Sequence, residues 1–378
     1  MEKHHVISDV QLATAVAFSV MVPACYTFPS AAIQAAGRQA VLSMGLDFLA
    51  LAGAAALAYH FYRRFPDWSL AETCSRLLGR WAGKSAALLL LGLDLTLGAA
   101  VTSHIQVAVN DVFLPDTPPA VIILTLLVTV VYATWFDLPV LTRLFNVFTV
   151  DVVIIFVPLL LLLIPNINQP AVALPPPDIS LGDVLGGAYA TFPLYLGLNL
   201  IYWLGPWMRW RTPATTCRSI VKGILPFCAF TTYLYVVVVG TIGTHLAGAY
   251  SFPVVEVLRY GFSANSLLPR PGLIILLGLT FGFINYLSLR VWSAAQSANL
   301  ILGTTSFRPY LIPACLAIWG LRYALPKLAS VSLMPVGLFL LFVLPGALIL
   351  LARRRGLPPR FEAADTQNSR APGREVRD

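Results

Sequence analysis

Between Asp9 and Ala352 the sequence returns repeatedly to apolar runs long enough to cross a bilayer, and this constrains the fold more than any other feature. Crossing about 30 Å of hydrocarbon at 1.5 Å per residue takes roughly 20 apolar residues in a helix. Within hydrocarbon every backbone amide and carbonyl must be satisfied by the chain itself, which leaves helices and closed barrels. Continuous runs such as VPLLLLLI (157–164) lack the alternation of barrel strands, so helices remain. The pattern predicts an all-α integral membrane protein with ten spans, at 9–36, 39–62, 82–112, 119–137, 140–164, 184–208, 217–246, 271–302, 309–323 and 332–352. Composition agrees: 58% of residues are hydrophobic and 11% charged, against about 25% charged in soluble domains.

Lysine and arginine orient the bundle. With the N-terminus in the cytoplasm, the inner side receives Lys3, Arg63, Arg64, Arg76, Arg80, Lys84, Arg143, Arg209, Arg211, Arg218, Lys222, Arg308 and the run Arg353 to Arg355. The outer side receives Arg38, Arg259, Arg270, Arg322 and Lys327. That asymmetry predicts both termini inside, and it accounts for the net charge of +8 without nucleic acid as a partner. The expected organisation is a cytoplasmic N-terminus (1–8), a ten-helix membrane domain (9–352) and a basic, then disordered, cytoplasmic tail (353–378). Between spans two and three, Ser69 and Glu72 form a capping-box pattern. Leu70, Cys74, Leu77 and Leu78 then share one face, predicting a short interfacial helix. Trp203, Trp207 and Trp210 beside Arg209 and Arg211 read as an interfacial anchor.

The proline-rich stretch 165–180 divides the spans five and five, and spans one and six are both interrupted. Span one contains MVPACYTFPS (21–30), with Pro23 and Pro29; span six carries Gly186, Gly187, Pro193, Gly197, Gly205 and Pro206. Proline removes a backbone donor and clashes with the preceding turn. Interruptions at corresponding positions of two halves are the signature of an inverted-repeat transporter fold with its binding site at the breaks.

Catalytic motifs are missing. GRWAGKS (79–85) falls short of a phosphate-binding loop because Leu78 stands where glycine is required, and no H-E-x-x-H or G-x-S-x-G occurs. Neither an enzyme nor a cofactor or metal site is expected. The five cysteines, Cys25, Cys74, Cys217, Cys228 and Cys315, are scattered and read as small apolar packers. Inside the spans, Asp94 and Arg290 each lie about 15–18 Å deep, where an isolated charge is expensive, and they are expected to form a structural ion pair. Asp94, Asp47 and Asp151 are the alternative proton-relay candidates; Ser103 and His104 are possible ligand contacts.

Several segments, taken in order, resemble the B subunit of spore germinant receptors: ISDVQL (7–12), FPDWSLAETCSRLLGRWAGK (65–84), LPDTPPAVIILTLLVTVVYA (114–133), Arg143 before an aromatic-rich helix, FPVVEVLRYG (252–261) and FRPYLIP (307–313). The resemblance covers about residues 7–350. It implies the five-plus-five inverted-repeat fold of the amino acid permease-like, amino acid-polyamine-organocation superfamily, with discontinuous helices one and six. It also implies a subunit in the inner membrane of a bacterial spore, working with an A subunit and a lipoprotein C subunit to sense a small germinant, commonly an amino acid. A secondary transporter of amino acids or small solutes is the alternative on the same fold. By this resemblance the ligand would sit at Pro23, Ala24, Cys25, Tyr26 and Thr27, facing Pro193, Tyr195, Gly197 and Asn199. Three departures stand out. PLYLGLNL (193–200) places Leu198 or Asn199 where an acid is common, Asn285 replaces a lysine in helix eight, and Pro271 follows Arg270 where an acid is common. They point to a less charged germinant, with Asn285 among its contacts.

Overall fold

The computed structural model describes residues 7–110, 116–151, 158, 161, 163–168, 173–208, 213–261, 271–328 and 333–357. Among them the chain is helical, with one isolated parallel bridge, Ile7 to Met208, and no strand. The elements in order are α1 (Asp9–Ala36), α2 (Ala40–Arg64), α3 (Leu70–Leu78), α4 (Arg80–Ala108), α5 (Pro119–Trp135), α6 (Leu138–Asp151) and α7 (Leu181–Thr191). After an irregular stretch come α8 (Pro213–Ala249), α9 (Pro253–Gly261), α10 (Pro271–Leu302), α11 (Leu311–Leu328), α12 (Met334–Leu338) and α13 (Leu344–Arg354). Among the described residues, five helical stretches are long and apolar enough to cross a bilayer: Thr27–Arg64, Arg80–Ala108, Leu181–Trp207, Arg218–Ala249 and Met334–Arg354. The protein is a helical membrane protein. The predicted disordered tail from residue 358 onward, Trp210 and Arg270 lie outside the described residues.

Local chemistry sets the helix starts. At α1, Ser8 Oγ accepts from Gln11 N at 3.3 Å while Ser8 N donates to Gln11 Oε1 at 2.8 Å. At α3 the predicted capping box forms: Glu72 N donates to Ser69 Oγ at 3.4 Å, and Ser69 N to Glu72 Oε2 at 2.8 Å. Each box satisfies two amides that a helix start leaves without partners. Leu70, Cys74 and Leu77 are buried beneath α3 as the spacing predicts, whereas Leu78 is exposed. Burial pushes the Cys74 thiol up to about 11, which keeps it protonated and unreactive near neutrality. The Arg76 guanidinium covers the Trp68 ring at 4.3 Å, and Arg355 Nη1 donates to Leu77 O at 2.8 Å, tying the end of α13 to the last turn of α3.

α1, α4, α10 and the stretch after α7 form the centre. α1 packs along α8 and against α7, α6 and α10, and α4 packs against α10, α3 and α11. α8 is a 37-residue element kinked at Gly243, whose φ of 76° favours glycine.

Two expectations are corrected here. Helix one is not interrupted: α1 is a continuous 28-residue helix through MVPACYTFPS. A proline removes one amide and crowds one turn, and the other bonds of the ladder, with packing along the length of α1, keep the helix intact. Trp203 is not an interfacial anchor; it is 5% exposed and belongs to the core.

Removing the α3 cap gives a direct test of this local order. Ser69→Ala should lower unfolding stability by about 1 kcal/mol, read as a lower melting temperature of the purified protein. An unchanged melting temperature would show that α3 is held by its packing alone.

Candidate ligand site at the helix-six break

Where helix one continues, helix six breaks. α7 ends at Thr191 and the chain proceeds as a 3-10 stretch Phe192–Leu200, a single α-turn Ile201–Leu204 and a 3-10 turn Gly205–Trp207. Pro193 and Pro206 open the two 3-10 pieces, each removing a donor from the α pattern. Nine residues of 3-10 helix is far beyond the usual three or four, a length associated with strain or hinging. All residues from Tyr195 to Trp203 are nevertheless buried.

Gly197 explains how the break fits. A Cβ there would overlap the carbonyl oxygen of Ser19 and come within 3.0 Å of Arg290 Nη2. Ser19 lies four residues before Pro23, so its carbonyl has no amide to accept from within α1. The proline in helix one thus frees a carbonyl, and only glycine lets the backbone of the helix-six segment approach it. Just before the start of α1 the two segments are also joined by Ile7 N donating to Trp207 O at 3.1 Å.

The centre of the cluster is Arg290 on α10. Its Nη1 lies 2.7 Å from Asp94 Oδ1 and also donates to Asn199 Oδ1 at 2.7 Å, while Nη2 donates to Gly197 O at 2.5 Å. Both charged side chains are 0% exposed. Asp94 further accepts from Ser293 Oγ at 2.5 Å and from Asn199 Nδ2 at 3.4 Å. Tyr286 places its ring 5.0 Å from the guanidinium carbon. Arg290 Nε has no acceptor. Charges placed this deep are tolerated only when paired and hydrogen-bonded, and here the pair has acquired a third segment as well.

The predicted site residues separate into three groups. Gly197 and Asn199 are brought to the break, and both are engaged by Arg290. Tyr195 is fully buried there, its ring tilted against Phe28 at 6.0 Å and edge-on to Phe227 at 5.7 Å. The side chains of Pro23, Ala24, Cys25 and Tyr26 lie outside the described set; Thr27 is half-buried on α1. Asn285 is fully buried on α10 and neither its Oδ1 nor its Nδ2 has a partner. Sequence reasoning missed Ser288, fully buried with an unpartnered hydroxyl, and Ser293; both follow from helical spacing on α10, three residues after Asn285 and Arg290 respectively. Of the relay candidates, Asp47 accepts from Thr191 Oγ1 at 2.5 Å, joining α2 to the end of α7; the Asp151 side chain is outside the described set. Ser103 turns its hydroxyl proton back onto Ala99 O at 3.0 Å, leaving only its acceptor capacity for other contacts.

A sequence model of the family described as spore germination protein matches residues 6–328. The chain belongs to the spore germination protein family. No curated protein sequence matches it. Among solved structures, this family member is similar to Mhp1, a nucleobase-cation-symport-1 family transporter in a closed conformation with bromovinylhydantoin bound. The two share 14% identity over 92% of this chain and 79% of that one, with a TM-score of 0.52. At that identity the likeness is one of fold, a transporter-like helical bundle.

The pair predicts an asymmetry between breaking and replacing it. Arg290→Met alone strands a buried carboxylate and should cost about 3–5 kcal/mol, whereas Arg290→Met with Asp94→Leu should recover most of that loss. Membrane yield and thermal unfolding of the single and double variants provide the measurement. A double variant as poor as the single would mean that the charges do more than neutralise each other.

Proposed function

We propose that this chain is the germinant-sensing membrane subunit of a spore germinant receptor. In this reading it spans the spore inner membrane ten times as a five-plus-five inverted repeat, with both termini cytoplasmic. It works with an A subunit and a lipoprotein C subunit, binds a small germinant beside the helix-six break and carries no catalytic activity. The observation that supports it most is the family match across residues 6–328. The broken, buried helix-six segment, packed against α1 and hydrogen-bonded to Arg290 of α10, supports the placement of the ligand. Within that placement Gly197 and Asn199 shape the break through Arg290, and Asn285 and Ser288 of α10 are among the buried polar groups without a partner.

A second reading, secondary transport of a small solute, is favoured by one observation: the fold is shared with a symporter solved with its ligand bound. The two readings part on flux. Deletion of the gene should abolish the response of spores to at least one germinant, and the tagged protein should co-purify with an A-type subunit and a lipoprotein. Proteoliposomes of the purified chain should accumulate none of the labelled germinant. Accumulation driven by an ion gradient, with germination intact in the deletion strain, would replace the receptor by the transporter.

A further inference from the structure

The face of α10 that turns away from the ion pair carries polar groups for which the fold provides no partner. Asn285 and Ser288 are both 0% exposed, and Asn285 Nδ2, Asn285 Oδ1 and Ser288 Oγ have no hydrogen-bond partner. Phe281, Asn285 and Ser288 stand at i, i+4 and i+7 and therefore share one stripe. The stripe continues to Trp292 Nε1 and Gln296 Nε2, also buried without a partner. At its upper end Phe281 stacks on Phe148 of α6, with ring centroids 4.5 Å apart and planes at 15°. α10 packs against α6 and α1, and at the lower end Trp292 meets Trp207 edge-on at 6.1 Å.

A buried amide with both its donor and its acceptor unsatisfied is an expensive thing to build into a core, and a position like this is ordinarily filled by an apolar residue or completed by a ligand. A primary amide presents one donor and one acceptor on a single edge, which complements the edge of another amide, a lactam or an imide. Among the described residues the nearby charges are already engaged: Arg290 is matched by Asp94 at 2.7 Å, and Gly197 O, the carbonyl exposed by the break, accepts from Arg290 Nη2, while Arg290 Nε, on the opposite face of α10 from this stripe, has no acceptor. Nor does α1 end at MVPACYTFPS, so no half-helix N-terminus is formed there to receive a carboxylate.

The geometry points to a specific ligand class: the site takes an uncharged molecule with an amide, lactam or imide edge, which pairs with Asn285 and Ser288 while its apolar part lies toward Phe281. A zwitterionic or cationic amino acid is disfavoured by the same arrangement, since among the described residues this face offers its charges no side chain of opposite sign. The inference rests on the reading of the chain as a ligand-binding receptor subunit and specifies what that subunit binds.

The test uses the full-length protein in lipid nanodiscs, with thermal unfolding and calorimetry against uracil and acetamide as uncharged probes and L-alanine and L-lysine as charged ones. Uracil should raise the melting temperature of the wild type, and the two amino acids should not. Asn285→Leu should keep or raise the melting temperature without ligand, because it removes an unpartnered buried amide, and should weaken uracil binding at least about tenfold. Silence of both uracil and acetamide overturns the ligand class. If L-alanine or L-lysine instead binds in an Asn285-dependent way, the ligand class falls and the receptor reading stands. If no probe binds and Asn285→Leu restores normal germination to a deletion strain, the ligand site itself is misplaced.

Discussion

The fold hangs on a guanidinium in hydrocarbon. Arg290 and Asp94 sit at zero exposure in the middle of an apolar bundle, where the desolvation of either charge alone exceeds what any single contact returns. That cost fixes register. Tyr286, Arg290, Ser293 and Ser297 lie on the face of α10 that meets α4, at helical spacing, and each residue of rotation would swing the guanidinium by about 100° away from Asp94. Because Arg290 also donates to Gly197 O and Asn199 Oδ1, the constraint extends to a third segment that has no regular helix to hold it in place. The order of the 3-10 stretch therefore follows from the ion pair.

Prolines shape the remainder through the carbonyls they leave free. Pro23 deprives Ser19 O of its helical donor, and the backbone of Gly197 closes onto that oxygen. Pro345 does the same to Leu341 O within the π-helical turn Phe339–Val343, and there the Tyr202 hydroxyl donates at 2.9 Å. In both cases the freed carbonyl of one helix is covered by the broken part of helix six, by glycine in one and by tyrosine in the other. A membrane interior supplies no water to do this, so the irregular backbone has to be placed where neighbouring helices supply the partners. The break is in helix six because Pro193 and Pro206 bracket Gly197 and Gly205 within fourteen residues, whereas Pro23 and Pro29 in α1 are separated by residues that carry the ladder onward.

Much of this was written in the sequence, though unevenly. Several apolar runs gave helix positions to within a few residues, since length and hydropathy decide them: the run placed at 9–36 is α1, and that at 39–62 matches α2 (Ala40–Arg64) to within two residues, while most of the run at 140–164 beyond Asp151 lies outside the described residues. The α3 capping box was legible because it is local. Asp94 and Arg290 were legible by depth, as two charges of opposite sign at similar distances from the same face. The fate of MVPACYTFPS was not, because proline content reports the loss of a donor, and whether the helix then parts is decided by packing from α7, α8 and the helix-six segment. For the same reason Asn199 and Gly197 looked like ligand contacts: sequence shows a polar side chain at a break but not that a guanidinium from ninety residues away has already taken it.

α10 carries two polar faces of opposite kinds. One is closed, with Arg290 and Ser293 locked to α4 and to the break. The other is open, with Asn285 and Ser288 buried and unmatched on the side away from that cluster. They are separated by little more than one turn of a single 32-residue helix and cannot move independently. A ligand that engages the open face is held by the same rigid element whose guanidinium supports the 3-10 stretch, so any shift of α10 on binding is delivered at Gly197 and Asn199. From there it passes to the Ser19 carbonyl of α1 and, through the Ile7 to Trp207 bond, to the N-terminal end of α1. That continuity, a rigid helix and a chain of direct contacts running from a buried amide to the N-terminal end of α1, would carry occupancy of the proposed site to a distant part of the bundle.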